Sequence, residues 1–344
     1  MSAVRVRDFA PEDTARWEAF VDACSEASFF HRIGWRRILE GCFGHRTRYL
    51  LAERGSSIVG VLPLAEVKSF LFGHALVSLP FCAVAGVAAA EPGALGALHG
   101  AAQQLGERLG VRHLELRNRS PRQCDWPRQD LYASFRKTLA PDMEANLLAI
   151  PRKQRAMVRK GIRNGLAGRI DAQVDDFFAL YAGNVHRHGT PPLPKRYFRA
   201  LAETFGRDAE VLTVTDAAGK ALSSVLSFYF KDEVLPYYAG DALEARALAA
   251  NDFKYWELMR RACGRGVKVF DFGRSKQHTG PFDFKKNWGF EPVPLAYEYR
   301  LYRRTGIPQH NPLNPKYRAL IALWRRLPIG VANALGPHIV KSLG

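Results

Sequence analysis

Residues 267–290, VKVFDFGRSKQHTGPFDFKKNWGF, combine a strand, a polar loop and a helical turn within one short stretch. VKVFDF follows a Gly-Arg-Gly break and is rich in β-branched and aromatic residues, which predicts a buried strand. Gly273 ends that strand, because a residue without Cβ turns sharply where others cannot. RSKQHTGP predicts a loop at the carboxyl end of the strand, where α/β sheets commonly bind ligands. FDFKKNWGF then predicts a short helical turn that Gly289 closes.

The elements that surround this stretch occur twice in the chain. Each copy predicts an antiparallel hairpin, a third strand, a helix, a fourth strand and a final strand. In the first copy these are residues 47–68, 74–80, 92–109, 111–117 and 131–141, and in the second 209–230, 234–241, 251–266, 267–273 and 293–303. The repeat extends to single residues, since LGVRHLELRNRS (109–120) matches RGVKVFDFGRSK (265–276). We therefore predict two copies of one mixed α/β unit.

Length and charge bound the class of protein. A chain of 344 residues exceeds one typical domain, and 47% hydrophobic residues suffice for a buried core, which excludes wholesale disorder. The 50 Lys and Arg residues outnumber the 33 Asp and Glu residues and give a net charge of +17. Such a charge predicts an anionic partner, and nucleic acid, phosphorylated sugars and an acidic membrane surface all remain open.

The cysteines and the apolar segments indicate a cytoplasmic protein. The cysteines are scattered and never form a Cys-x-x-Cys pair, which argues against a disulfide framework and against a metal site; they are Cys24, Cys42, Cys82, Cys124 and Cys263. The N-terminus lacks the apolar region of a signal peptide. The longest apolar tract, residues 76–90, contains Pro80 and Gly86 and is too short to span a bilayer as a helix.

Four segments of the second copy resemble, in sequence and order, the motifs of the Fem-type aminoacyltransferases; they are YYAGD (237–241), NDFKYWELM (251–259), VKVFDFG (267–273) and FDFKKNWGF (282–290). HRHGTPPLPKRYF (186–198) and NPKYRALIALWRRLPI (314–329) resemble a FemAB-related subgroup associated with exosortase (PEP-CTERM) and exopolysaccharide systems. The resemblance implies α/β mixed sheets in tandem GNAT-like acyltransferase domains. It implies an N-terminal domain at 1–145, a C-terminal domain at 146–305 and a basic amphipathic tail at 306–344.

The same resemblance implies a reaction centre in the second copy. Phe284 and Lys285 match the Phe-Lys motif of the family, in which the lysine counters negative charge at the acyl ester, and Trp288 follows. From the residues alone, Lys285 could equally be a solvated lysine on an amphipathic turn. In this fold the strand that ends at Tyr238 and Asp241 separates from its parallel neighbour to admit the acyl chain, so both residues are expected to bind substrate.

Three polar residues of the 267–290 stretch have two interpretations each. Asp271 lies in an otherwise apolar strand. If its side chain is buried it is suited to proton transfer, and if not it faces water. Arg274 would clamp a phosphate through its planar guanidinium or lie on the surface. His278 is a candidate base or an ordinary loop histidine.

The resemblance also implies an acyl donor that acts as a co-substrate, either aminoacyl-tRNA or acyl-CoA, with no tightly bound cofactor. Acetyl-CoA enzymes of this fold cradle pyrophosphate in a glycine-rich loop, whereas ALEARALAANDF (242–253) has no glycine, which favours aminoacyl-tRNA. A basic helix predicted at 151–169 places Arg152, Arg155 and Arg159 on one face, suited to phosphate or to solvent.

Together these features predict transfer of an aminoacyl or acyl group to an amine of an anionic, nucleotide- or lipid-linked envelope precursor, of peptidoglycan or exopolysaccharide. Two alternatives remain: an acetyl-CoA-dependent N-acetyltransferase for a polysaccharide sugar, and a non-catalytic basic binding module. Residues 316–327 predict a basic amphipathic helix, and the segment 316–344 either docks on its own domain or contacts the inner face of the cytoplasmic membrane.

Overall fold

The computed structural model describes residues 3–69, 73–123, 125–308 and 315–342, with side chains from residue 320 onward in the last range. Cys124 and parts of the predicted tail, 309–314 and 343–344, lie outside the described residues. The chain forms two compact units. Unit 1 comprises Met1–Tyr132, Pro294–His310 and Lys341–Gly344, and unit 2 comprises Ala133–Val293 and Asn311–Val340.

Unit 1 is a mixed sheet with helices packed against it. Its strands are β1 (Arg5–Asp8), β2 (Arg46–Arg54), β3 (Ser57–Ser69), β4 (Gly73–Val77), β5 (Ala88–Ala89), β6 (His113–Asn118), β7 (Arg128–Gln129) and β16 (Ala296–Leu301), and its helices are α1 (Thr14–Ala23), α2 (Gly34–Phe43) and α3 (Pro92–Leu109). The described strands run in the order β1-β2-β3-β4-β6-β16-β7, with β5 on β3. Gly110 closes α3 with a φ of 63°.

Unit 2 has a second mixed sheet. Its strands are β8 (Tyr132–Thr138), β9 (Ala167–Asp171), β10 (Ala209–Thr215), β11 (Ala221–Phe230), β12 (Glu233–Asp241), β13 (Val269–Asp271), β14 (Ser275–Lys276) and β15 (Pro292–Pro294). Its helices are α4 (Met143–Ala149), α5 (Arg152–Arg163), α6 (Asp175–Arg187), α7 (Lys195–Phe205), α8 (Ala245–Leu248), α9 (Ala250–Gly264), α10 (Gly280–Asn287), α11 (Pro315–Arg326) and α12 (Ile329–Val340). The described strands run in the order β14-β8-β13-β12-β11-β10-β9, with β15 on β8.

Close backbone contacts fix the helices on the second sheet. At Gly240 of β12 an added Cβ would overlap backbone atoms of Leu180 and Tyr181, so α6 lies directly on the strand. At Gly161 of α5 an added Cβ would lie 2.7 Å from the Cβ of Phe253, so α5 crosses α9 at van der Waals distance. The core between α9 and the sheet contains the buried apolar side chains of α9 together with Phe270 and Phe272.

The final strand of each sequence copy joins the sheet that contains the strands of the other copy. β8, which follows the first copy, pairs antiparallel with β13, whereas β16, which follows the second copy, pairs antiparallel with β6. The repeat alone predicts each final strand beside its own copy. Because β6 and β13 present equivalent edges, the alternation of side chains does not distinguish the two pairings.

Two local predictions need correction. The basic helix predicted at 151–169 ends at Arg163, and Arg169 lies on β9. The segment RSKQHTGP is not loop throughout, because Ser275 and Lys276 form β14 beside β8. Within the described ranges, no helix combines the length and the apolar character that a membrane crossing requires.

Candidate functional site

The two parallel strands at the centre of unit 2 pair only at their beginning. Glu233 of β12 pairs with Val269 of β13, and Val234 with Phe270. In the described part of the chain no later residue of β12 pairs with β13, although β12 continues along β11. The register of β12 against β11 shifts so that Tyr237 is an extra residue, and such a bulge bends its strand. The two strands therefore separate towards their carboxyl ends, and the gap between them is here called the cleft.

One side of this cleft is a turn that Asp271 holds in place. Gly273 adopts a φ of 68°, and an added Cβ would lie 3.1 Å from the Cδ1 atom of Leu235 on β12. The Oδ1 atom of Asp271 accepts hydrogen bonds from the Gly273 amide at 2.8 Å and from the Ser134 hydroxyl at 3.1 Å. Its Oδ2 atom lies 3.4 Å from the Nε atom of Arg136. Asp271 is therefore buried and engaged through both oxygens.

Lys285 holds the same turn from α10. Its buried Nζ atom donates hydrogen bonds to the carbonyl oxygens of Phe272 at 2.6 Å, Gly273 at 3.0 Å and Arg274 at 3.2 Å. These bonds use the three N–H donors of an ammonium. Burial lowers the pKa of Lys285 to about 7, with Asp271 acting to raise it and Arg274 to lower it. Lys285 is thus no solvated surface lysine.

Aromatic side chains of α9 and α10 enclose the base of the turn. The ring of Phe284 lies 5.6 Å from that of Tyr255 and 5.9 Å from that of Trp288. Trp288 is fully buried, and its Nε1 atom donates to Asp252 at 3.0 Å. Burial raises the pKa of Asp252, which this indole hydrogen bond opposes. Trp288 thereby joins α10 to the first turn of α9.

An ion pair at the end of β12 was not predicted from the sequence. Lys254 of α9 is completely buried, and its Nζ atom lies 2.9 Å from the Oδ1 atom of Asp241, which also accepts from the Ser223 hydroxyl. Burial lowers the pKa of Lys254, but the charge and hydrogen bond of Asp241, together with Tyr255 and Asp252, more than compensate, so the pKa is raised overall. Its position four residues from both Ala250 and Leu258, which are buried, is the signal that would have revealed it.

The remaining predicted site residues lie in different surroundings. Tyr238 packs among the rings of Tyr181, Tyr197 and Phe198, and its hydroxyl lies 2.9 Å from that of Tyr197. Burial raises the pKa of Tyr238 well above its usual value. Tyr238 therefore belongs to the packing of β12 under α6 and α7. His278 is exposed and has a φ of 60°, and Arg274 is half-buried beside the turn.

Comparison with known proteins identifies the fold. Residues 152–286 match the acetyltransferase (GNAT) domain family. The structure of FemX superposes with a TM-score of 0.68 at 14% identity, covering 87% of this chain and 98% of that one. A tandem GNAT protein from the clavulanic acid biosynthesis pathway superposes with a TM-score of 0.54 at 14% identity, covering 88% and 100%. The chain has the tandem GNAT fold.

The sequence also resembles a Fem-type enzyme. It is 24% identical over 139 residues to the UDP-N-acetylmuramoylpentapeptide-lysine N(6)-alanyltransferase of Weissella viridescens, a match that spans 40% of this chain and 41% of that transferase. The C-terminal domain of a putative lysylphosphatidylglycerol synthetase from Agrobacterium fabrum has the same fold, with a TM-score of 0.59 at 14% identity over 86% of this chain and 92% of that one. The predicted resemblance to Fem-type GNAT proteins is supported by both sequence and fold.

The two GNAT units differ at the point where their parallel strands separate. In unit 1, Arg117 of β6 is buried and donates to the carbonyl oxygens of Leu79 at 3.1 Å and Cys82 at 2.9 Å, with Glu115 2.7 Å from its Nε atom. The repeat aligns Arg117 with Gly273. A buried side chain therefore occupies the strand end in unit 1, whereas the matching position in unit 2 has no side chain.

The first helix of the range that matches the GNAT domain family is strongly basic. Six cationic side chains lie on α5, and among the described residues none forms an ion pair with an acid; they are Arg152, Lys153, Arg155, Arg159, Lys160 and Arg163. Arg169, by contrast, pairs with Asp171 at 2.7 Å and with Asp176. Asn164, at the end of α5, donates to the carbonyl of Leu248 at 3.1 Å, so this end lies beside the start of α9.

Proposed function

We propose that this protein transfers an aminoacyl group from aminoacyl-tRNA to an amine of a peptidoglycan precursor. The observation that carries the proposal is the separation of β12 from β13, next to a turn that Asp271 and Lys285 hold. A relative with sequence similarity transfers alanine to the lysine of a UDP-linked muramoyl pentapeptide, which supports an amine acceptor of this class. The reaction centre then lies in unit 2, since Arg117 fills the strand end of unit 1.

The connection between β12 and α9 supports aminoacyl-tRNA as the donor. This connection contains the short helix α8 and Ala249 in the left-handed conformation, with a φ of 62°. It has no glycine whose amide could approach a pyrophosphate closely. The C-terminal end of α5 lies next to this connection. The cations of α5 have no acidic partners in the described part of the chain, and such a row of cations suits a nucleic-acid backbone. We propose that Arg152, Arg155 and Arg159 bind phosphates of the donor.

The proposed reaction forms an amide and breaks an ester. The acceptor amine attacks the ester carbonyl, a C–N bond forms, and the C–O bond to the tRNA ribose breaks. The amine loses a proton and the departing ribose oxygen gains one, so no other reactant is needed. Both oxygens of Asp271 are already engaged, so we propose that the substrate itself accepts the proton and that Asp271 positions the turn. Backbone groups of the separated strands would then border the reacting carbonyl.

Lys285 is proposed to act through the turn and through its charge. Its three hydrogen bonds keep the end of β13 away from β12, and the ammonium places a positive charge in a site lined by Phe135 and Phe272. Phe284 and Trp288 fix α10, which carries this lysine, while Asp241 and Arg274 border the cleft. His278 is exposed. Its role as a base stays a prediction, and the proposed reaction does not use it.

The deciding experiment supplies purified protein with alanyl- or seryl-tRNA and UDP-linked muramoyl pentapeptide, and detects the aminoacylated product by mass spectrometry. Acetyl-CoA with an amino sugar, and an exopolysaccharide amine as acceptor, are tested in parallel. Lys285→Met should reduce kcat far more than it changes KM. Lys286→Met alters an exposed neighbour and should leave both kcat and KM unchanged. Acetyl transfer from CoA without any effect of tRNA would refute the proposal, as would binding without turnover on every acceptor.

A further inference from the structure

The two C-terminal helices form a segment without negative charge. No Asp or Glu follows Glu298 in the chain. The sequence of α11 and α12 and the residue after them contains five cations: Lys316, Arg318, Arg325, Arg326 and Lys341. Any surface that this segment presents is therefore neutral or positive.

One face of the segment packs on unit 2. Trp324 and Ala332 are buried, and an added Cβ at Gly336 of α12 would lie 2.5 Å from the Cδ atom of Pro192. An added Cβ at Gly189 would likewise lie 2.5 Å from Ile321 of α11. Arg325 donates to the carbonyl of His188 at 3.3 Å. The helices are therefore held on α6 and the residues that follow it, which fixes the direction of their other face.

That other face is apolar and exposed. It consists of six large aliphatic residues that are 42–61% exposed, here called the apolar face: Leu320, Leu323, Ile329, Val331, Leu335 and Ile339. On α12 three of them recur every four residues, so they form one row along the helix. A row of exposed aliphatic side chains on a docked helix is unusual for a protein surface that faces only water.

We infer that the apolar face binds the surface of an anionic lipid bilayer, with α11 and α12 lying in its plane. Aliphatic side chains enter the boundary between headgroups and acyl chains, while the exposed Arg326 remains at the level of the lipid phosphates. The absence of acidic residues from the whole segment favours this partner, since even one carboxylate facing an anionic leaflet would oppose binding. The inference goes beyond the proposed reaction, because lipid binding needs no turnover.

The test is sedimentation of the full-length protein with vesicles of phosphatidylcholine alone and with added phosphatidylglycerol. We expect binding to the anionic vesicles that weakens as salt is raised. Leu320→Ser with Leu323→Ser, and separately Leu335→Ser with Ile339→Ser, should each weaken binding by about tenfold or more. Arg326→Gln should weaken it by about fivefold on anionic vesicles only.

A matched control distinguishes lipid binding by the apolar face from nonspecific hydrophobic binding. Leu243 and Val293 are 76% and 55% exposed elsewhere in unit 2, so Leu243→Ser with Val293→Ser removes as much exposed aliphatic surface. That variant should bind vesicles like the wild type, and thermal unfolding should show that all variants fold. No binding of the wild type to anionic vesicles, or equal loss in the control variant, would overturn the inference. Self-association that the Leu320 and Leu323 substitutions abolish, without lipid binding, would also overturn it and assign the face to a second copy.

Discussion

Asp271 and Lys285 bind the two polar backbone groups of one residue, since the carboxylate of Asp271 accepts from the Gly273 amide at 2.8 Å and the ammonium of Lys285 donates to its carbonyl at 3.0 Å. The two side chains come from different elements, β13 and α10, and both are buried. Their charges are opposite, and the charge of Asp271 raises the pKa of Lys285 against the effect of burial. The turn at the edge of the cleft is therefore fixed by both charge and hydrogen bonding.

Lys285 should make the stability of the protein depend on pH. Its pKa falls from an ordinary 10.5 to about 7 on folding, so between these values the folded chain binds fewer protons than the unfolded chain. The free energy of unfolding of the wild type should consequently rise with pH, relative to Lys285→Met, by roughly 1 kcal/mol per pH unit above pH 7. Urea unfolding of both proteins at neutral and mildly alkaline pH measures this. Lys286→Met, which changes an exposed residue, should follow the wild type, and parallel curves for Lys285→Met would contradict the prediction.

Gly273→Ala should impair the cleft more than the fold. Alanine at a φ of 68° costs about 1–2 kcal/mol, and its Cβ would press on Leu235 across the gap between the strands. Gly266→Ala is the matched control, because Gly266 has a φ of 75° and open space around its Cα. Both variants should lose similar stability in thermal unfolding, but only Gly273→Ala should lose most of the transferase activity. Equal activity of the two variants would show that Gly273 is not part of the functional site.

The Asp241–Lys254 pair predicts an asymmetric response to substitution. Asp241→Asn leaves a completely buried ammonium without its counter-charge and should lower the free energy of unfolding by about 3 kcal/mol. Lys254→Met leaves a carboxylate that is 28% exposed and still accepts from Ser223, so it should cost only about 1 kcal/mol. Chemical denaturation of both variants gives the two values. A larger loss of stability for Lys254→Met than for Asp241→Asn would mean that the unpaired carboxylate of Asp241 is more destabilising than the unpaired ammonium of Lys254.

Gly240→Ala should destabilise the whole of unit 2. The new Cβ would overlap the backbone of Leu180 and Tyr181, and backbone atoms move only if α6 moves away from β12. We expect a loss of about 3 kcal/mol or more in the free energy of unfolding. Gly264→Ala, at the end of α9 where nothing lies within 4 Å, should be neutral or slightly stabilising. A modest effect at Gly240 would show that α6 shifts readily.

The sequence predicted the elements whose pattern is local. Both hairpins, α3 and α9 follow from alternation and helical periodicity. The resemblance at Phe284 and Lys285 singled out the lysine whose Nζ atom lies 5.5 Å and 5.9 Å from the ring centroids of Phe135 and Phe272. It did not predict that the three N–H groups of Lys285 are used by main-chain carbonyls. Backbone acceptors carry no sequence signature, so such contacts follow only from the path of the chain.

Features that join distant parts of the chain could not be predicted in the same way. β8 and β16 have the same alternating pattern whichever sheet they join, so their exchange was missed. Lys254 was missed because charge on a helix is normally solvated, and only its partner Asp241, thirteen residues earlier, explains its burial.

The cations of α5 should determine how strongly the protein binds tRNA. Arg152→Gln combined with Arg159→Gln removes two exposed charges that no acid neutralises among the described residues. The affinity for tRNA should fall, and the slope of log affinity against log salt concentration should become shallower by roughly 1 for each phosphate that the protein no longer neutralises. Filter binding over a range of salt concentrations measures both. Arg260→Gln is the control, compared per charge removed, because it removes one charge from the surface of α9, where Arg260 already pairs with Glu257 at 2.6 Å. An equal effect of Arg260→Gln would attribute the binding to the net charge of +17 rather than to α5.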